Sequence, residues 1–231
     1  MRNSGGKIRI LIADDHPLLR EAMRNAFEQH DDLEVVGEAG NGEEAVELSS
    51  RLKPDIVIMD IVMPNLSGIE ATKHIRKESP STAVLILTAY DDDRYVIGLL
   101  EAGAAGYLLK SARGQVLVDA VRTVHAGESV LHPAIIAKVL KYSMRMQEGG
   151  VVKKTPDRLS DRELEVLKLA SRGMSNREIA KELCLTVRTV KAHLSHIFDK
   201  MDVASRTEAI VKGVREGWLT LDDIASEHSE G

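Results

Sequence analysis

Five polar or charged residues stand at the ends of short apolar runs and together have the composition of a phosphoryl-binding site. They are an acid pair, Asp14-Asp15, a lone acid, Asp60, a hydroxyl residue, Thr88, and a lysine, Lys110. Three converging carboxylates repel one another unless a cation joins them. Mg²⁺ suits such a site because it prefers oxygen ligands and is commonly shared with a phosphate group. A hydroxyl and a fixed positive charge would complete the site if the fold brings the five residues together.

The first half of the chain alternates between apolar runs and helix-length segments. Runs that are apolar throughout predict parallel strands that are covered on both faces. We expect strands at residues 8–13, 34–38, 55–60, 83–88 and 105–109, and helices at residues 17–28, 42–52, 67–77, 91–102 and 113–126. This alternation predicts an α/β fold with a doubly wound, five-stranded parallel sheet. In the flavodoxin-like strand order 2-1-3-4-5, the first and third strands are neighbours and ligands bind beyond their carboxyl ends, which would bring Asp14, Asp15 and Asp60 together.

The order of these residues along the predicted strand ends is shared with one known family. The shared positions are Asp14-Asp15, Asp60, Met63-Pro64, Gly68, Thr88-Ala89, Tyr107 and Lys110. They resemble the receiver domain of two-component response regulators, and the resemblance covers about residues 8–126. It implies that the first domain takes a phosphoryl group from a phosphohistidine on a sensor histidine kinase.

The resemblance also implies a role for each site residue. Asp60 would be the carboxylate nucleophile and the phosphoacceptor. The Mg²⁺ ligands would come from Asp14, Asp15, Asp60 and the carbonyl of Val62, while the ion and Lys110 neutralise charge on the transferring group. His16, beside the acid pair, is not expected to coordinate, because a carboxylate-rich magnesium site does not need an imidazole.

Three further residues would report the phosphorylated state, again by resemblance. Thr88, followed by Ala89, would bond the phosphorylated product at the end of the fourth strand. Tyr107 would turn inward as Thr88 moves. The surface of the receiver domain would change as a result.

Charge is distributed unevenly along the chain. Residues 1–130 carry 14 Lys and Arg against 21 Asp and Glu, a net charge of −7, whereas residues 131–221 carry 17 against 11, a net charge of +6. The last ten residues hold four acids and no Lys or Arg. Such asymmetry favours two domains with different partners. The overall net charge of −5 is therefore an average of opposing parts and does not exclude binding to nucleic acid.

Composition narrows the class of protein. A chain of 231 residues with 43% hydrophobic and 29% charged residues is typical of a globular protein of one or two domains. The single cysteine, Cys184, excludes an intramolecular disulfide and fits a reducing cytoplasm, and we expect it to be a small buried filler. No stretch approaches the ~20 apolar residues that a membrane span needs, and no secretory signal is recognisable, so we expect a cytoplasmic protein with no membrane partner.

The second half changes to short helices with recognisable first residues. The predicted organisation is a receiver domain at residues 1–126, a linker at 127–157 that includes a helix at about 132–146, a helical domain at 158–221 and an acidic tail at 222–231. Three helices begin with Ser-x-x-Glu, at Ser160, Ser175 and Ser205, which is the spacing of a capping box. Thr186 can cap a fourth. The helices are expected at residues 160–171, 175–182, 187–201 and 205–216; a short helix, a tight turn and a longer helix form a helix-turn-helix arrangement.

The longer helix has one apolar and one polar face. Its apolar residues, Val190, Leu194, Ile197 and Met201, fall within one narrow stripe at ~100° per residue. The amino-terminal part of the opposite face carries only basic or small side chains. A helix of this kind can enter the major groove, where Arg and Lys reach guanine edges or phosphates.

Four runs of the second half are shared with another known family. They are Leu159-Ser160-x-Arg162-Glu163, Gly173-x-Ser175-Asn176-x-Glu178-Ile179-Ala180, Thr189-Val190-Lys191-x-His193 and Arg206-Thr207-x-Ala209. They resemble the LuxR-type DNA-binding domain over about residues 159–218. The resemblance implies base-reading positions at Lys191, Ala192 and Ser195, and phosphate contacts at Arg188, Thr189, His193 and Arg206. It also implies a dimer surface on the last helix, at Ala209, Ile210, Val214 and Trp218.

Together the two halves resemble the NarL/FixJ class of response regulators. The resemblance implies a transcriptional regulator that binds double-stranded DNA as a homodimer once Asp60 is phosphorylated, or once DNA is bound. A first alternative is a phosphorylation-independent DNA-binding regulator whose front domain only dimerises or binds a partner. A second is an enzyme working through an aspartyl phosphate. It would need a second acid two residues beyond the nucleophile, where this chain has Val62, so we expect no enzyme.

Overall fold

The structure is a computed structural model that describes residues 6–89, 98, 102–130, 159–220 and 223. The chain divides into two compact units, Met1–Val130 and Leu131–Gly231. Three predicted segments fall outside the described residues, wholly or in large part. They are the helix at 91–102, the linker helix at 132–146 and the acidic tail at 222–231.

The first unit contains a five-stranded sheet in which every pairing is parallel. The strands are β1 (Ile8–Ala13), β2 (Leu33–Ala39), β3 (Ile56–Met59), β4 (Ala83–Thr88) and β5 (Gly106–Leu109). Their order across the sheet is β2-β1-β3-β4-β5. The α/β class and the strand order predicted from the sequence are therefore confirmed, and β1 and β3 are direct neighbours.

The central strands are apolar because both of their faces are covered. All four residues of β3 and all six of β4 are buried. Alternate residues such as Ile10, Ile12, Ile56 and Ile58 belong to one core cluster, which also includes Phe27. The residues between them point to the other face and are equally buried. Burial on both faces removes the alternation of polar and apolar residues that an exposed strand would show.

Four described helices accompany the sheet. They are α1 (Pro17–Glu28), α2 (Gly42–Leu52), α3 (Gly68–Glu78) and α4 (Gly114–His125). Met23 and Phe27 of α1 and Leu117 and Val121 of α4 belong to the same core cluster as the sheet. Within the described residues, no helix of either unit is both long and apolar enough to cross a membrane.

The described part of the second unit is helical. Its helices are α5 (Asp161–Ser171), α6 (Asn176–Glu182), α7 (Val187–Met201) and α8 (Arg206–Arg215). They enclose one core cluster, to which α7 contributes the predicted stripe of Val190, Leu194, Ile197 and Met201. The helix-turn-helix arrangement is formed by α6 and α7.

All three serine caps form as predicted, and two of the three predicted capping boxes are complete. Complete capping boxes begin α5, from Ser160 and Glu163, and α6, from Ser175 and Glu178. At α8 the hydroxyl of Ser205 accepts a bond from the backbone N–H of Glu208, but the Glu208 carboxylate accepts from the backbone N–H of Ala204, one residue before the cap. The third box is therefore shifted by one residue, a detail that spacing alone does not determine.

Candidate phosphoryl site and DNA interface

Three carboxylates meet beyond the carboxyl ends of β1 and β3. Asp14 and Asp60 are buried, while Asp15 is exposed. One potential ligand atom from each of Asp14, Asp15, His16 and Asp60 lies within 4.8 Å of the others. Two negative charges that are both removed from water repel strongly, so such a cluster requires a nearby cation.

Main-chain hydrogen bonds continue past the strand ends and hold these residues in place. The backbone N–H of Asp60 donates to the carbonyl of Ala13 at 2.8 Å, and that of Asp14 donates to Ala39 at 3.1 Å. At the other side of the sheet, the N–H of Lys110 donates to the carbonyl of Thr88 at 2.7 Å. The site residues are thus positioned by the ladder of the sheet itself.

Lys110 supplies the cation. Its Nζ lies 2.7 Å from Asp60 Oδ2 and 2.8 Å from Asp14 Oδ2. Burial lowers the pKa of Lys110, but the bonds to Asp14 and Asp60 outweigh burial and leave it raised, so the ammonium stays charged. Burial raises the pKa of Asp60 and outweighs the opposing effect of Lys110, and the charge of Asp14 raises it further.

Gly68, at the first turn of α3, allows the backbone of Asp60 to be covered closely. The N–H of Gly68 donates to the carbonyl of Ile61 at 2.9 Å. A Cβ on Gly68 would lie 1.9 Å from the carbonyl oxygen of Asp60, so any side chain would collide with it. The Asp60 carboxylate itself accepts a 2.8 Å bond from the N–H of Ile61. Glycine is therefore required here because of a contact with the backbone of Asp60 in the folded protein. The sequence shows only that Gly68 belongs to the loop motif.

The predicted switch residues lie in β4, directly after it, and in β5. Thr88 ends β4 and is fully buried, and Tyr107 is buried in β5, paired with Ile86 of β4. Ala89 and Val62 are exposed. The fold thus brings Asp14, Asp60 and Lys110 into contact and places Thr88 on the strand between β3 and β5.

His16 lies within hydrogen-bond distance of both acids of the pair. Its Nδ1 is 2.7 Å from Asp15 Oδ1 and 3.1 Å from Asp14 Oδ1, although 68% of its side chain is exposed. A protonated ring would pair with both carboxylates. Carboxylate oxygens are the chemistry that a hard divalent cation prefers, so the donor set fits Mg²⁺ through Asp14, Asp15 and Asp60 without the imidazole. The absence of His16 from the ligand set stays a prediction.

In the second unit, α7 presents the polar face that the sequence predicts. Four of the residues assigned to DNA contact are exposed and two are partly buried. The exposed ones are Arg188, Lys191, Ala192 and Ser195, and the partly buried ones are Thr189 and His193. The hydroxyl of Thr186 accepts a 3.1 Å bond from the N–H of Thr189 and so begins the helix. Basic and small side chains occupy the end of α7 that carries the positive helix dipole.

Both halves of the chain match known families. The family described as response regulator receiver domain matches residues 10–122, and the family of bacterial regulatory proteins, luxR family, matches residues 157–212. The transcriptional regulatory protein LiaR of Bacillus subtilis (strain 168) is 41% identical over 204 residues, which cover 88% of this chain and 95% of LiaR. DegU of Brevibacillus brevis is 38% identical over 227 residues, covering 93% of this chain and 96% of DegU.

The chain is a two-component transcriptional response regulator of the NarL/LuxR class. Solved structures agree with this assignment. A LuxR-family response regulator from Aurantimonas sp. SI85-9A1 has 36% identity and a TM-score of 0.55, covering 60% of this chain and 99% of that one. RcsB from Salmonella enterica serovar Typhimurium, bound to promoter rprA in the presence of phosphomimetic BeF3−, has 25% identity and a TM-score of 0.51, covering 90% of this chain and 98% of that one.

The buried position of Arg206 contradicts its predicted phosphate contact in this response regulator. Only 3% of the residue is exposed. One guanidinium nitrogen donates to the carbonyls of Ala170 and Met174, at 2.9 and 2.5 Å. Arg206 therefore joins the start of α8 to the end of α5, and its charge is held within the fold. The motif carries no signal of this burial, because an arginine at a helix start looks the same whether it points inward or outward.

The predicted dimer surface on α8 also requires correction. Ala209, Ile210 and Val214 are buried in the core of their own unit, with exposed fractions of 0%, 1% and 6%. Trp218 is partly buried and packs against the same core. An apolar stripe on a short helix predicts burial but does not say whether the partner is the same chain or another.

The structure also contradicts the predicted burial of Cys184. We expected a small buried filler, but the residue is exposed in the turn between α6 and α7. Its backbone is left-handed, with φ of 52°, a conformation that favours glycine or asparagine. The turn geometry, rather than packing, decides its position.

Proposed function

We propose that this response regulator is switched by phosphorylation of Asp60 by a sensor histidine kinase. The observation that carries the proposal is the buried Asp60 carboxylate, bonded to Lys110 and clustered with Asp14 at one edge of the sheet. We assign residues 1–126 to the receiver, 127–157 to the linker, 158–221 to the DNA-binding domain and 222–231 to the tail. The protein works in the cytoplasm as a switch and does not turn over a separate substrate.

In the transfer step, a carboxylate oxygen of Asp60 forms the bond to phosphorus as the bond from phosphorus to the kinase histidine breaks. Lys110 stays beside the phosphorylated carboxylate, because it already lies between Asp60 and Asp14. Mg²⁺, held by Asp14, Asp15, Asp60 and the Val62 carbonyl, would supply further positive charge for the phosphoryl oxygens. Lys110 would then bond the new phosphoryl oxygens.

Thr88, Ala89 and Tyr107 would transmit the change. Phosphorylation adds acceptor oxygens next to β4, where the Thr88 hydroxyl and the Ala89 backbone N–H would donate to them. A repositioned Thr88 leaves space into which Tyr107 turns. This is a shift between two populated states, and it requires that the phosphoryl group bind one of them more tightly.

The output is binding of a homodimer to double-stranded operator DNA through α7. Lys191, Ala192 and Ser195 would face base edges, and Arg188, Thr189 and His193 would contact phosphates. The exposure of Arg188, Lys191, Ala192 and Ser195 on α7 supports this assignment, and RcsB has been solved on a promoter. Trp218 keeps an accessible part on the surface of its unit, so of the four residues predicted for the dimer surface it is the one that we retain.

The test compares DNA binding by wild type and Asp60→Asn, each with and without beryllium fluoride and Mg²⁺. We expect the phosphomimetic to tighten binding of wild type and to leave Asp60→Asn unchanged. Asp119→Asn is the matched control, since Asp119 is a surface carboxylate paired with Arg122 and should respond as wild type does. Equal response of wild type and Asp60→Asn would favour the phosphorylation-independent regulator instead.

A further inference from the structure

One buried carboxylate in the second unit has no place in phosphorylation or in DNA contact. Glu163, near the start of α5, is only 4% exposed. Its Oε2 accepts bonds from the backbone N–H and the hydroxyl of Ser160, at 2.7 and 2.8 Å. The same oxygen lies 2.7 Å from Nζ of Lys200, which belongs to α7. The side chain that caps α5 is therefore also tied to the DNA-reading helix.

A second tie reaches the same end of α7. Lys212 of α8 donates from Nζ to the carbonyl of Met201, the last residue of α7. Two lysines thus hold the carboxyl end of α7. Lys200 connects it to α5, and Lys212 connects it to α8. Each bond uses one of the three N–H donors of its lysine. The reading residues stand at the opposite, amino-terminal end of the helix.

Apolar packing alone holds α7 less specifically than these bonds do. Val190, Leu194 and Ile197 bury the helix, but apolar contact is non-directional and tolerates small rotations. Hydrogen bonds and ion pairs have preferred directions and distances of about 2.7–3.2 Å. A polar bond between the buried Glu163 and the partly exposed Lys200 is therefore suited to selecting one orientation of α7 among several of similar packing.

Lys200 and the base-reading residues lie at opposite ends of α7, so a small tilt at the carboxyl end displaces the side chains at the amino-terminal end. Lys191 lies nine residues before Lys200, which is roughly 13 Å along a helix at 1.5 Å per residue. A tilt of about 5° at the carboxyl end would move a side chain at Lys191 by about 1 Å, which is enough to break a base-edge hydrogen bond. Contacts to phosphates, made by long flexible side chains, tolerate such a shift better.

We propose that the Glu163–Lys200 pair is a positioning clamp that sets the pose of α7 in the major groove and thereby sequence discrimination, without either residue touching DNA. The inference rests on the proposed reading role of α7. For Glu163→Gln, simple electrostatics predicts the opposite change in DNA affinity. This variant removes a negative charge and should therefore tighten binding to every duplex. The clamp predicts weaker binding to the preferred sequence only.

The experiment uses the full-length protein with beryllium fluoride and Mg²⁺. Two duplexes serve as probes: the sequence that wild type enriches most from a random pool, and a shuffled duplex of equal length. Dissociation constants are measured over a range of salt for Glu163→Gln, Lys200→Gln and Lys200→Arg. The matched control is Glu165→Gln, which removes the same charge from the same helix at an exposed site paired with Arg162.

We expect both glutamine variants at the clamp to lose about tenfold in the ratio of preferred to shuffled affinity, the equivalent of one base contact. Lys200→Arg, which keeps the pair, and Glu165→Gln should retain the wild-type ratio. The salt dependence should not change, whereas loss of a phosphate contact would reduce its slope by about 0.9. A reduced slope with an unchanged ratio in Lys200→Gln would make Lys200 a phosphate contact and overturn the clamp.

The same variants also distinguish a loss of folding from a loss of sequence discrimination. Glutamine preserves the capping geometry at Glu163, and Lys200→Gln leaves both bonds from Ser160 intact, so Lys200→Gln decides the question if the first variant fails to fold. Unfolding followed by the fluorescence of Trp218, the single tryptophan, reports folding of this unit. If wild type prefers no sequence, the reading role of α7 fails; if wild type discriminates and the clamp variants do so equally well, only the clamp fails.

Discussion

Several single residues in this response regulator are needed because of the groups that they contact. Lys110 neutralises two buried carboxylates at once, Asp14 and Asp60. Gly68 is needed because α3 presses against the backbone of Asp60, and the left-handed conformation plays no part there. Glu163 combines a helix cap with an ion pair. Each of these residues can be tested by the smallest change that removes its contact.

Gly68→Ala should destabilise the receiver unit by about 1–3 kcal/mol, because the new methyl group would lie 1.9 Å from the Asp60 carbonyl oxygen and the backbone must move. Gly114→Ala is the matched control, since its methyl group would meet only Ala26, at 3.9 Å. Urea unfolding followed by far-ultraviolet circular dichroism measures both. Equal stability of the two variants would contradict the close approach.

Glu163 predicts an acid-dependent loss of stability in the second unit. Burial raises its pKa, but the bonds from Lys200 and Ser160 outweigh burial and lower the pKa from 4.5 to about 2. A lowered pKa stabilises the fold fully above the unfolded value, and this contribution is lost as the pH falls from about 4.5 to about 2. At about 1.4 kcal/mol per pKa unit the full shift corresponds to about 3–4 kcal/mol. Because the Lys200 side chain is partly exposed and its charge is screened by solvent, we expect about 2–3 kcal/mol from this group, measured as the pH dependence of the Trp218 unfolding transition. Glu163→Gln should flatten that dependence, and an equally steep profile would contradict the assignment.

At the scale of elements, two arginines of the DNA-binding unit that both lie at helix starts have different environments. Arg188 stands exposed at the start of α7, while Arg206 is buried at the start of α8. Both positions follow from how the helices pack around one core, with α7 offering one face to the core and one to solvent. The same residue type is therefore exposed in one helix and joins two helices from within the fold in the next.

We expect Arg188→Ala and Arg206→Met to fail in different ways. Arg188→Ala should weaken binding to all duplexes and reduce the salt slope by about 0.9, with stability nearly unchanged. Arg206→Met should lower stability by about 2–4 kcal/mol, because the carbonyls of Ala170 and Met174 lose their donor. It should leave the salt slope of the folded protein unchanged. Salt titrations and urea unfolding of each variant distinguish these effects, and a reduced slope in Arg206→Met would restore its predicted phosphate contact.

At the scale of the whole molecule, the uneven charge matches the division into two units. The unit that ends at Val130 carries a net charge of −7 and holds the acidic cluster, and the basic excess lies beyond it. Binding of a divalent cation should therefore stabilise one unit directly. Trp218, in the other unit, serves as an independent reporter.

We expect Mg²⁺ to raise the unfolding midpoint of the receiver unit and to leave the Trp218 transition in place. A ligand present at about 100 times its dissociation constant adds about 2.7 kcal/mol to the state that binds it. Circular dichroism and Trp218 fluorescence, recorded in the same urea titration, separate the two transitions. Asp15→Asn should abolish the Mg²⁺ effect, and a Trp218 transition that shifts as far as that of the receiver would contradict independent unfolding.

Much of the fold and part of the candidate site follow from local patterns. Apolar runs predict the strands, whereas their order comes from the flavodoxin-like precedent. The predicted third strand differs from β3 only at its ends, where Asp55 and Asp60 flank it. The Ser-x-x-Glu spacings predict the helix starts, and the stripe from Val190 to Met201 predicts which face of α7 is buried. These signals are readable because each depends on residues close together in the chain.

Tertiary structure decided which individual side chains meet, although the strand order and the family resemblance already predict that the phosphoryl-site residues lie together. Lys110 meets Asp60 across 50 residues and Glu163 meets Lys200 across 37, distances along the chain at which spacing carries no information about contact. Arg206, Ala209, Ile210 and Val214 turned inward because α8 covers the core of its own unit. The sequence by itself determined which elements form and which residue types they carry. The packing of those elements decided which side chains meet, because burial and directional bonds are properties of neighbours in space.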